Sequence, residues 1–120
     1  MAVIEAPAEP IVEVIVEVDE SLGVLERTIE WLESHMWMRR RYHGYVHGRE
    51  AACLVGAMRQ VAGDKPWTPA QMKAYERLRR AVLETGIHVP SGGVESWNDV
   101  RCKSKAEAIA MLRRAMHVKL

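Results

Sequence analysis

The segment Ile11-Val12-Glu13-Val14-Ile15-Val16-Glu17-Val18 constrains this chain more than any other. β-Branched side chains lose rotamer freedom in a helix and pack well on a pleated surface, so the run reads as a β-strand. Side chains alternate along a strand, which puts Val12, Val14, Val16 and Val18 on one face. Ile11, Glu13, Ile15 and Glu17 share the other. A lone strand leaves amide and carbonyl groups unpaired, and those groups need partners. The remaining strand candidates, Tyr42 to His47 and Ile87 to Val89, are weaker. The mate is therefore expected from another copy of the chain. Val12, Val14, Ile15, Val16 and Val18 are the expected partner-binding residues of this arm.

Charge divides the chain in the same place. Residues 1–33 hold nine acids and one base, a net of −8. Residues 34–120 hold seven acids and sixteen bases, a net of +9. Such a division implies that the halves meet each other or that one half meets something else. Pro7 and Pro10 make the first ten residues an extended tail. The expected organisation is an acidic arm over residues 1–20, with its strand at 11–18, followed by a helical domain over 21–120.

The body reads as mainly α, a compact four-helix domain. Leu22, Leu25, Ile29, Leu32 and Met36 recur at spacings of three and four, the stripe of an amphipathic helix running from Asp19 or Ser21 to Met36. Residues 37–49 read as a loop with a short hairpin about Gly44. A second helix is expected from Glu50 to Ala62, capped by Gly63. Gly56 inside it costs about 1 kcal/mol relative to Ala, a cost that close approach of another backbone would justify. The third helix has the clearest start: Thr68 caps, Pro69 takes the first position and Gln71 completes a capping box. Lys73, Arg77, Arg79 and Arg80 are expected to make its outer surface basic. Residues 87–103 read as a loop, and Ser104-Lys105-Ala106-Glu107 opens the fourth helix with a second capping box.

No apolar run reaches the roughly 20 residues of a membrane helix, so no membrane partner is expected. The first residues lack the basic start and apolar block of a secretion signal, which makes a cytoplasmic location the expectation. Arg39, Arg40, Arg41 and Arg49, with His43, His47, Tyr42 and Tyr45 between them, form the strongest local cluster. Arginine forks bind phosphate and tyrosine rings stack on bases, so these four arginines are candidate phosphate ligands. The net charge of +1 places nucleic acid behind self-assembly as the expected partner. His43 and His47 have no third ligand at suitable spacing, so neither a metal nor another cofactor is expected. Cys53 reads as a buried hydrophobe, and no general base can be mapped beside Cys102.

Trp97, Asn98 and Asp99 read as a plug followed by a structural turn. Together with Cys53-Leu54-Val55-Gly56-Ala57 and the Ser104 capping box, they carry a resemblance. Residues 22–116 resemble a small uncharacterised family, a domain of unknown function from actinobacteria and their phages. Ala52 stands where that family often carries Trp. The resemblance brings no assigned activity. The reading that follows is a non-enzymatic interaction or assembly protein, a homo-oligomer or the partner of a host or phage protein, acting through its N-terminal strand. Nucleic-acid binding through Arg39–Arg49 is the first alternative, and a small enzyme with a site around Trp97–Asp99 is the second.

Overall fold

Asp19 is the first residue described. In the computed structural model, which describes residues 19–63, 65–89 and 93–120, its carboxylate caps helix α1 (Glu20–Ser34) by accepting from the Ser21 amide at 3.1 Å. The strand expected at Ile11–Val18 lies outside the described residues. After α1 the chain forms β1 (Met36–Trp37), β2 (His43–Val46), β3 (Arg49–Ala52) and four further helices. These are α2 (Leu54–Ala62), α3 (Pro69–Glu84), α4 (Val94–Val100) and α5 (Lys105–Ala115). The domain is thus mainly α, with five helices and a three-stranded sheet rather than four helices alone.

Helices α1, α3 and α5 pack against one another, and α2 packs against α1 and α4. Leu25, Leu32, Leu54, Met58, Leu78 and Leu112 are fully buried between them. With no Phe in the chain, leucine and methionine fill the centre, and Trp31, Trp37 and Trp67 lie half-buried at its margin. The α1 stripe turns Val24, Leu25, Thr28, Ile29 and Leu32 inward. The helix ends at Ser34, so Met36 belongs to β1. Thr28 can be buried because its hydroxyl donates to the Val24 carbonyl at 2.8 Å.

Two segments depart from the sequence reading. Residues 49–52 are extended, so α2 starts at Leu54 rather than Glu50. Arg49-Glu50-Ala51-Ala52 carries no β-branched residue, and its strand character comes from pairing on both sides rather than from propensity. Residues 94–100, read as loop, form α4. That helix spans seven residues and Gly93 gives it no side-chain cap, so it lacked a start signal.

Arg77 is a further correction. Placed on a basic surface by sequence, it is 8% exposed. Its guanidinium donates Nε to the Ser21 hydroxyl at 2.9 Å and its two terminal nitrogens to the Val118 carbonyl and the Asp19 carboxylate. Lys73 adds an ion pair to Asp19 at 3.2 Å. One buried cation thereby ties the start of α1 and the chain beyond α5 to the middle of α3. The Ser21 hydrogen bond, helped by Arg77 and Lys73, holds the Asp19 carboxyl well below the usual carboxylate range. A depressed folded value means stability that is present above the unfolded value near pH ~4 and is lost as pH falls below it. Urea unfolding of Asp19→Asn should therefore show a destabilised protein at neutral pH. Its gap from the parent should narrow as pH falls below about 4. A gap that stays constant down to low pH would show that Asp19 acts through its shape alone.

Candidate functional site

The sheet has the order β1-β3-β2, with β1 parallel and β2 antiparallel to the central β3. A two-residue turn, His47-Gly48, joins β2 to β3, and both residues have positive φ, 50° and 74°. That is the geometry whose twist suits a tight hairpin. The turn lies beyond Gly44, which sits within β2 opposite Ala51. Val46 faces Arg49 across the turn, Tyr45 faces Glu50 and His43 faces Ala52. In a two-residue hairpin the closing pair exchanges both hydrogen bonds, so Val46 and Gly44 bond toward β3. The amides and carbonyls of Tyr45 and His43 then point away from the sheet, and among the described residues β2 is an open edge. Tyr45 is 68% exposed on this edge.

Asn98 holds the sheet to the helices. It is fully buried, and its Oδ1 accepts from the Trp37 indole at 2.8 Å and from the Leu54 amide at 3.2 Å. Its Nδ2 donates to the Met38 carbonyl at 3.2 Å and to Asp99 Oδ1 at 3.1 Å. Asp99 in turn accepts the Arg40 amide at 2.7 Å, holding Arg40 at φ 68°. Trp97, Asn98 and Asp99 lie on α4 rather than in a turn. Trp97 is buried, as a core plug should be.

The four arginines of the basic cluster have separate roles. Arg39 donates Nε to the Cys102 carbonyl at 2.9 Å and lies over the Trp37 ring, so it braces the fold. Arg40, Arg41 and Arg49 are exposed. Tyr42 presses its carbonyl onto α2: a Cβ on Gly56 would come within 1.5 Å of that oxygen. The close approach expected at Gly56 is thus with the Tyr42 backbone. The Tyr42 ring carries the Arg59 guanidinium at 3.8 Å. Sequence reading missed Arg59, because nothing in the local pattern links a helix residue to a ring in the preceding loop.

Arg40, Arg41, Tyr42, Cys53, Glu95 and Asp99 line a cleft of about 170 Å³. Glu95 accepts the Tyr75 hydroxyl at 2.8 Å, and burial together with that carboxylate pushes the phenol up to about 12. Cys53 caps α2 by accepting the Gly56 amide at 3.3 Å, and burial pushes its thiol up. Burial likewise pushes the Cys102 thiol up to about 11. Neither cysteine has the electropositive, accessible setting of a nucleophile. On the sheet's other side, Glu50 meets His35 Nε2 at 3.0 Å and His43 Nε2 at 2.9 Å. His35 stacks on Trp31 at 3.9 Å and bonds its Nδ1 to the Trp31 carbonyl at 2.7 Å. His47 occupies the turn, away from this pair. Among the described residues no group of three or more His, Cys, Asp and Glu is disposed to hold a metal ion. No helix among them is long and apolar enough to cross a membrane.

Two substitutions test this framework. Asn98→Leu removes a group that satisfies two donors and one backbone acceptor, and should cost about 3 kcal/mol in urea unfolding. Gly56→Ala gains about 1 kcal/mol of helix propensity but forces Tyr42 away, for a net loss of about 2 kcal/mol. A stabilised Gly56→Ala protein would mean that the Tyr42 carbonyl does not sit on the helix.

No curated protein and no solved structure matches this chain. One family model does, over residues 17–118, and it covers every element from α1 to α5. On that match the chain belongs to the family of unknown function DUF6197.

Proposed function

We propose that this chain is a non-enzymatic assembly protein whose N-terminal strand, Ile11–Val18, adds to the open β2 edge of a second copy. The observation that carries this reading is the edge itself. Tyr45 and His43 offer outward-facing backbone groups, and a valine-rich strand is the complement such an edge accepts. Charge supports the pairing. The arm residues before Asp19 hold Glu5, Glu9, Glu13 and Glu17 and no base, whereas the hairpin carries His43, His47 and Arg49.

Asp19 is anchored to Arg77, and the 15-residue α1 separates it by about 22 Å from the end where β1 begins. Asn98 and Asp99 spend their oxygens on indole and amide donors, which favours a structural role over a catalytic one at Trp97–Asp99. A cytoplasmic address and an actinobacterial or phage source complete the reading. The source rests on the Cys-Leu-x-Gly-Ala and Trp-Asn-Asp motifs.

Light scattering tests it. The full chain should give a molar mass at a multiple of 13.6 kDa of two or more. Tyr45→Pro removes an outward amide without touching the ladder to β3, since proline is tolerated where a strand's N–H faces solvent. That variant should run as a monomer with unchanged helical content. A monomeric parent protein would overturn the proposal.

A further inference from the structure

The fold pairs some of its cations with acids and leaves others without an ion pair, and one group of the latter lies about the 40–42 loop and α2. Arg77 and Lys73 serve Asp19, and Arg79 and Arg80 serve Glu76. These are structural pairs. Arg40, Arg41, Arg49 and Arg59 make no ion pair among the described residues, and neither does Lys65. Two clefts lie here. The first is the small one lined by Arg40, Arg41 and Tyr42. The second, of about 530 Å³, is lined by Arg59, Lys65 and Trp67 among others. Arg59 of the second lies over the ring of Tyr42 of the first, at 3.8 Å.

The two acids of the first cleft are already engaged. Glu95 accepts the Tyr75 hydroxyl, and Asp99 accepts the Arg40 amide and the Asn98 side chain. Neither forms an ion pair with the guanidinium groups beside it. Flat groups alternate with the cations along the surface. Tyr42 is 42% exposed, Arg59 lies over its ring, and Trp67 is held half-buried by a tilted contact with Tyr75 at 5.9 Å. Cations spaced for phosphates and planar groups that accept bases in stacking are what a single-stranded nucleic acid requires. Duplex recognition requires instead an element that enters a groove, whereas these residues line clefts.

We propose that the track Arg40–Arg41–Tyr42–Arg59–Lys65–Trp67 binds a short stretch of single-stranded nucleic acid, phosphates against the cations and bases against the rings. The proposal is independent of the assembly reading. It uses side chains across α2 and the 40–42 loop, whereas assembly uses the backbone of the β2 edge.

Fluorescence anisotropy of the full chain with labelled oligo(dT) and oligo(U) of about 12 nucleotides tests it, with light scattering on the same samples recording oligomeric state. About three phosphate contacts predict that a fourfold rise in salt, from about 50 to about 200 mM, weakens binding roughly 15-fold. Arg59→Ala should weaken binding by about 10-fold and flatten the salt dependence. Trp67→Ala should weaken it about 5-fold and leave the salt dependence unchanged, because stacking carries no counterion release. Arg59→Lys keeps the charge and loses the plane, so it should weaken binding with the salt dependence intact. It leaves folding undisturbed and so guards against a misfolded Trp67→Ala. Absence of an anisotropy change at the lower salt would overturn the proposal. So would equally tight binding of a poly-glutamate peptide of the same length, which would make the track a receptor for acidic protein segments. A monomeric protein that still binds would refute assembly and leave this inference standing.

Discussion

The carboxamide of Asn98 sets the relative positions of the sheet and the helices. Its oxygen takes two donors, the Trp37 indole and the Leu54 amide, and its nitrogen gives to the Met38 carbonyl and Asp99. The side chain is fully buried, so each of these groups would be stranded away from water without it. A buried polar network of this kind is costly when incomplete and strongly directional when complete. Here it is complete: no buried side-chain nitrogen or oxygen among the described residues lacks a partner. Because Trp37 and Met38 belong to or follow β1, Leu54 opens α2 and Asp99 lies on α4, one residue specifies how three elements meet.

Arg77 plays the corresponding part elsewhere in the bundle. Its three donor directions join the start of α1, the middle of α3 and the segment beyond α5. A buried guanidinium is tolerable only when paired and fully bonded, and Asp19 and the Val118 carbonyl provide that. Between these two anchors the core is plain aliphatic packing. The hairpin needs few core residues of its own, since Ala51 and Ala52 are its fully buried members. That leaves its outer residues free of packing duties.

The helical stripe at Leu25, Ile29 and Leu32 and the Thr68 capping box were legible because each depends on residues within one or two turns. Gly56 was legible as a place of close approach, although its partner was not. β2 fell within the strand candidate Tyr42–His47, but its partner was hidden for a physical reason. β3 is made of Arg49-Glu50-Ala51-Ala52, which has no strand propensity, and its extended form depends on β1 and β2 flanking it. Helix α4 was hidden by its length and by Gly93 at its start. The roles of individual arginines were beyond local reading altogether. Arg39 and Arg40 are adjacent and both exposed, yet one guanidinium donates to the Cys102 carbonyl while the other lines the cleft beside Asp99. The Arg59–Tyr42 contact likewise joins residues whose proximity only the tertiary fold creates.

The two cysteines give the molecule a pair of internal clocks. Cys53 sits under the 40–42 loop at the start of α2, and Cys102 sits between α4 and α5, each buried and each held in its thiol form. An alkylating reagent reaches either sulfur only when its surroundings open, so the labelling rate at each site reads the opening free energy of that region alone. Equal rates would mean that the domain opens as one cooperative unit. A faster rate at Cys53 would mean that the loop and hairpin side lifts off while the three-helix core stays closed.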